Sequence, residues 1–170
     1  MIEKISGDTA YFEAALTSED LADLLSDAGL RLVRAWGGYR PSTADLEKLN
    51  ELFRLRPEIE FCATEPGQLG GLPELQRVSE AVSGCFGEGL HDLKALKRLR
   101  SLGLTEANFT ALPEYADTLE ELSLSGRISK KSGACLSALT RLKALSLSGT
   151  TLESFACIGK LKLTSLYVYG

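Results

Sequence analysis

Leu99-Arg100-Ser101-Leu102-Gly103-Leu104 and Leu142-Lys143-Ala144-Leu145-Ser146-Leu147 share one spacing of apolar residues, a step of three followed by a step of two. The same pattern extends backwards from each. Leucines stand at 90, 93, 96, 99 and 102 before Leu104, and at 136, 139, 142 and 145 before Leu147. A shorter version occurs at Leu119, Leu122, Leu124 and at Leu163, Leu166, Val168. The central apolar residues fall at 102, 122, 145 and 166, steps of 20, 23 and 21 residues. A step of two puts side chains on one face of an extended strand. A step of three suits a tight helical or 3₁₀ return with one buried stripe. One such unit cannot cover its own apolar face, whereas stacked units can. A buried leucine contributes roughly 1.5–3 kcal/mol, enough for a ladder of them to offset the ordering of the coils.

The rest of the composition agrees. Leucine supplies 32 of 170 residues, against one Met, one Trp and one His. Charged residues at 25% and apolar residues at 44% describe a folding chain rather than a disordered one. No run of 18 apolar residues offers a transmembrane helix. The start, Met1-Ile2-Glu3-Lys4, has no basic segment followed by an apolar block. A net charge of −4 argues against a general nucleic-acid binder.

The segment Leu99 to Leu104 followed by Phe109, Leu112 and Pro113, and the segment Leu142, Leu145, Leu147, Leu152, Phe155, Ile158 and Leu161, resemble the leucine-rich repeat family. The resemblance covers 90–170. It implies an α/β leucine-rich repeat solenoid, with a parallel sheet on the concave face and helical, 3₁₀ or irregular segments on the convex face. The family places an asparagine three residues after the second strand leucine. Here that position holds Ala107, Arg127 and Thr150, with Asn108 a substitute only if the turn slips by one. An irregular solenoid with variable turns is therefore expected.

The first half reads as longer coils of the same solenoid. Ser18-Glu19-Asp20 resembles a helix start, continued by Leu21, Leu24, Leu25 and Ala28 and stopped at Gly29; Leu30 to Trp36 reads as a strand. Ser42-Thr43 opens a second helix with Leu46, Leu49, Leu52 and Phe53 inward, ended by Pro57; Glu58 to Thr64 and Leu75 to Val82 read as strands. Ser6-Gly7-Asp8 marks a turn between short apolar segments, as in a hairpin or an irregular cap over the first coil. The chain divides into an N-terminal cap (1–17), irregular helix–strand coils (18–89) and clearer repeats (90–170) of one domain. Gly37-Gly38 and Gly67 to Gly71 are turns within it.

Residues alternating with the strand leucines face outward: Ser101 and Gly103; Glu121, Ser123 and Ser125; Ala144, Ser146 and Ser148; Ser165, Tyr167 and Tyr169. Glu58 and Glu60 extend this face to an acidic upstream end. Small hydroxyls let another backbone approach, and tyrosine gives contact area at little entropic cost. Tyr167 and Tyr169 are the expected hot spot. The basic residues Lys94, Lys97, Arg98 and Arg100, and Arg127, Lys130 and Lys131, read as solvated turns or convex surface.

Chemistry is sparse. Cys62, Cys85, Cys135 and Cys157 have neither CxxC nor metal-ligand spacing and read as reduced, mostly buried thiols. His91 has no cysteine or aspartate arranged around it. Gly126 to Ser132 departs from a phosphate loop, with Lys130 where glycine is needed. Glu58/Glu60 and Glu120/Glu121 read as solvated surface. The expectation is a cytoplasmic, non-enzymatic protein without cofactor or metal, which binds another protein rather than nucleic acid or membrane. Two rivals stand beside it. One is an immunity or inhibitor-type protein that blocks a toxin or enzyme with an acidic surface. The other is self-association: Gly170 directly follows the Tyr167-Val168-Tyr169 strand, so either the chain continues or this edge pairs with a second copy as a homodimer.

Overall fold

A computed structural model describes residues 2–36, 38–63, 68–82, 96–105, 117–128, 130–150 and 155–170. Expectations that rest on Gly37, Thr64, Gly67, 83–95 (Cys85, His91 and Lys94 included), 106–116, Ser129 and 151–154 lie outside these residues, as does the side chain of Cys157.

The nine strands are β1 (Ile2–Ser6), β2 (Thr9–Phe12), β3 (Leu32–Ala35), β4 (Glu60–Ala63), β5 (Arg77–Val82), β6 (Ser101–Thr105), β7 (Glu121–Ser125), β8 (Ala144–Ser148) and β9 (Ser165–Tyr169). They form one open sheet in sequence order. β1 and β2 make an antiparallel hairpin, and β2 to β9 run parallel. The helices among the described residues are α1 (Ser18–Ser26), α2 (Thr43–Leu55) and α3 (Lys130–Leu136), with a 3₁₀ turn at Phe155–Lys160. Parallel neighbours in chain order require every connection to return across one face, so the chain winds as a solenoid does.

The backbone shows why the coils stack. Leu30, Ile59, Leu75, Leu99 and Leu142 each donate an amide to the carbonyl three residues back, at 3.1–3.2 Å. The chain then turns into its strand, and its first amides clasp one carbonyl of the preceding coil. Arg31 and Leu32 bond Asp8; Arg100 and Ser101 bond Gln76; Glu120 and Glu121 bond Arg100; Lys143 and Ala144 bond Glu120; Thr164 and Ser165 bond Lys143. Glu60 bonds Arg31 in the same way. The first half therefore shares the strand-start geometry of the second, although its coils carry full helices.

The exits of β7 and β8 share one turn, although neither has the family's asparagine. Gly126 and Gly149 lie in the left-handed region at φ 82° and 55°. Their amides donate to Ser148 and to Tyr169, the last residues of the neighbouring strands. Glycine takes this conformation without a Cβ penalty, so a Ser-Gly step turns the chain one residue ahead of Arg127 and Thr150.

The core lies between the inner face of the sheet and the returns. Phe61, Val78, Leu102, Leu122 and Leu145 form one buried row, joined by Phe12, Leu49, Leu52 and Phe53 in the first half. Thr17, one residue ahead of the expected start, caps α1 through a reciprocal pair with Asp20, and Ser42 does the same for α2 with Asp45. Asp45 is fully buried. It accepts from Leu16 N (2.7 Å), Tyr39 Oη (2.6 Å), Ser42 N (2.8 Å) and Ser42 Oγ (2.7 Å). Burial opposes its charge, but these donors outweigh it and hold the carboxyl below the usual range. Burial and then Asp45 push the Tyr39 hydroxyl up to about 12. Arg56 closes the other end of α1, donating to Leu24 O (3.3 Å), Asp27 O (2.6 Å) and Leu30 O (3.1 Å). At the far end the row breaks: Leu166 is 48% exposed and Val168 60%.

Candidate functional site

The sheet register brings the expected contact residues into rows. Ser101, Glu121, Ala144 and Ser165 stand side by side; so do Gly103, Ser123, Ser146 and Tyr167; and so do Thr105, Ser125, Ser148 and Tyr169. Their strand neighbours Leu102, Leu104, Leu122, Leu124, Leu145 and Leu147 are buried on the other face, so alternation sends these rows outward. Glycine, serine and alanine leave the sheet backbone thinly covered. The result is a groove of about 380 Å³ across the strands, lined among others by Glu60, Ser101, Glu121, Ser123, Ser146 and Tyr167. Tyr167 and Tyr169 stack in parallel at the β9 end, with centroids 6.5 Å apart and both rings exposed. Ser165 shares their strand.

Glu58 does not join this face. It sits in the turn before β4, which begins at Glu60, and pairs with Arg56 at 2.9 Å. Burial opposes its charge, but its own backbone amide and Arg56 keep its carboxyl below the usual range. Glu121 is on the face but is met by Arg77, whose Nη1 lies 3.3 Å from Oε2. Arg77 is the register partner of Ser101, and that small residue separates it from Glu121. The upstream end therefore mixes charges instead of being acidic. Exposed pairs of this kind contribute only about 0–1 kcal/mol, so they set local potential more than stability.

A second aromatic group stands at the opposite end of the sheet. Tyr11 and Arg34 are register partners on β2 and β3, and Trp36 follows β3, its amide donating to Phe12 O at 2.9 Å. Tyr11 meets Trp36 edge to face at 5.7 Å, and the Arg34 guanidinium lies 5.6 Å from the centre of the Trp36 ring. Arg34 Nε is buried without a hydrogen-bond partner, consistent with a guanidinium held by stacking rather than by an acceptor. Trp36 is 52% exposed. The alternation of Val33 and Ala35 with Arg34 and Trp36 carried this signal in the sequence. Reading 30–36 only as a strand, without assigning its faces, overlooked it.

The two aromatic groups flank the small-residue floor across β3 to β9, about 29 Å at the usual strand spacing. Such an arrangement offers contact area at its ends and close backbone approach at its centre. Among the described residues, no group of three or more His, Cys, Asp or Glu side chains is placed to hold a metal ion, and no helix is long and apolar enough to cross a membrane. Cys62 is buried on β4 and Cys135 half-buried on α3, both as thiols. No family model matches the chain, and no curated protein or solved structure matches it.

Proposed function

We propose that this chain is a leucine-rich repeat solenoid whose open sheet face recognises another protein. The observation that carries the reading is the in-register row Gly103–Ser123–Ser146–Tyr167, a shallow floor with exposed aromatic residues at both ends of the sheet. Aromatic side chains dominate the energetics of protein interfaces, and small residues between them admit a closely approaching partner. Recognition by a rigid preformed surface needs no moving part.

The test is capture of a stoichiometric partner from native lysate by the tagged chain. Ser123→Arg/Ser146→Arg fills the floor, and Tyr167→Ala/Tyr169→Ala strips one end. Loss of the partner in the first variant, with an unchanged thermal midpoint, supports the reading. A partner retained by both variants moves recognition to another surface.

Self-association through β9 is favoured by a separate observation. Ser165 N donates to Lys143 O, just ahead of β8, and Tyr169 O accepts from Gly149 N, so alternation turns the backbone groups of Leu166 and Val168 away from β8. The apolar side chains of these two residues are exposed as well. Light scattering across a concentration series tests this: a monomer throughout removes it.

A further inference from the structure

We propose that the rim at the starts of β6 to β8 docks an acidic polypeptide segment. This surface is separate from the open face, and the proposal stands or falls independently of it. Aligning the coils on Leu75, Leu99, Leu119 and Leu142 gives two stacked rows beside the strand starts. The residues just before these leucines are Glu74, Arg98, Thr118 and Arg141; those just after are Gln76, Arg100, Glu120 and Lys143. Coils separated in sequence thus bring two basic clusters together, 97–100 and 141–143. Between them lies a groove of about 300 Å³ lined by Lys97, Arg98, Arg100 and Arg141, with Thr118 and Glu120 among its walls.

The acids present do not cancel this charge outwardly. Arg98 pairs with Glu74 at 2.7 Å, and Lys143 with Glu120 at 2.7 Å. In both pairs the cation is the outer partner: 58% exposed against 25%, and 60% against 27%. Lys97, Arg100 and Arg141 are exposed too. Arg141 donates one bond to Asp117 O. The rim therefore presents a cationic outer layer on a chain whose net charge is −4. The Glu120 carboxyl registers it: hydrogen bonding from Lys143, and then the charges of Lys143, Arg100 and Arg141, keep it below the usual range.

The spacing selects the occupant. β6 and β8 are two strand positions apart, about 10 Å, the rise of three residues in an extended chain. An extended segment of polyproline II form has three residues per turn and rises about 9 Å per turn, so an acid at every third residue stays on one face and can address both clusters. A nucleic acid fits less well: among the described residues no aromatic side chain lines the groove for base stacking, and the negative chain repels a long polyanion.

The test is fluorescence anisotropy with a labelled peptide of about a dozen residues, glutamate at every third position, and its glutamine counterpart. Expected are binding of the glutamate peptide alone, weakening as salt shortens the Debye length below about 10 Å, and a loss of about tenfold or more in Arg100→Glu/Arg141→Glu. Lys130→Glu/Lys131→Glu, a reversal of two exposed lysines on α3, should leave binding unchanged. Arg100→Gln/Arg141→Gln, with an intermediate loss, serves if the reversed variant does not fold. Equal binding of both peptides, equal loss in the rim and α3 variants, or no binding at low salt overturns the proposal. So does tighter binding of inorganic pyrophosphate or a single-stranded oligonucleotide.

Discussion

The coils of β2 to β4 and the coils of β6 to β8 share one backbone geometry at their strand starts but are held by different forces. In the first region, polar side chains tie one coil to the next. Asp45 gathers Leu16, Tyr39 and Ser42; Arg56 caps three carbonyls at the end of α1; Asn50 donates to Gly71 O at 2.8 Å; and Gln68, fully buried, donates to Tyr39 O at 3.0 Å. In the second region, leucines rest on leucines, and the pairs Arg98–Glu74 and Lys143–Glu120 lie at the exposed rim. The difference follows from the returns. A full helix leaves backbone groups at its ends that need partners. The clasps of Asp45 and Arg56 stand at the ends of α1 and α2.

The comparison can be broken by substitution. Leu145→Ala, at the centre of the leucine row, should cost about 3 kcal/mol or more in urea unfolding, since its neighbours cannot close the cavity. The same change at Leu166, already half exposed, should cost well under that, and equal losses would mean that the row does not end at β8. Asp45→Ala should cost about 3 kcal/mol, because four donors lose a charged acceptor at once. Arg56→Ala should follow at about 2 kcal/mol. Arg56→Lys should recover little of this, since one ammonium cannot reproduce the planar fork. Gly149→Ala should be the smallest, at about 1 kcal/mol: space is open around it, and only the left-handed conformation resists a side chain.

Acid sharpens the same contrast. Asp20, through the Thr17 backbone amide, and Asp45 and Glu58, despite burial, have depressed carboxyl pKa values in the first region; in the second, Glu120 is depressed by its rim pair with Lys143, and such surface pairs contribute little to stability. A depressed folded pKa gives stability that is present above the unfolded value, about 3.9 for aspartate, and is lost as pH falls through the folded one. Hydrogen exchange at falling pH should therefore open β2 to β4 before β7 and β8. Simultaneous opening would show that the coils unfold as one unit.

Much of this was legible beforehand. The steps of three and two placed β6 to β9, because a buried leucine row leaves little freedom of register. Both long helices followed from their caps and apolar stripes, and the row Gly103, Ser123, Ser146 and Tyr167 from alternation. The Arg77–Glu121 pairing was not legible, since it depends on which strands become neighbours. Nor was the buried role of Asp45, because a capping aspartate looks the same in sequence whether solvent or a tyrosine hydroxyl covers it. The exit turns were misjudged by attending to an absent asparagine; the repeated Leu-Ser-Leu-Ser-Gly at 122–126 and 145–149 was the better guide.

The amide pair that clasps a single carbonyl at the starts of β3, β6, β7, β8 and β9 uncouples the pitch of the winding from its contour length. The coil that carries α1 and the coil that carries the shorter α3 start their next strands with the same clasp, so backbone sets the step. Residues inserted on the return side would lengthen a coil's perimeter without displacing the face that its strand shows. The outward rows can thus stay aligned while the opposite side is free to grow, shrink or acquire new charge.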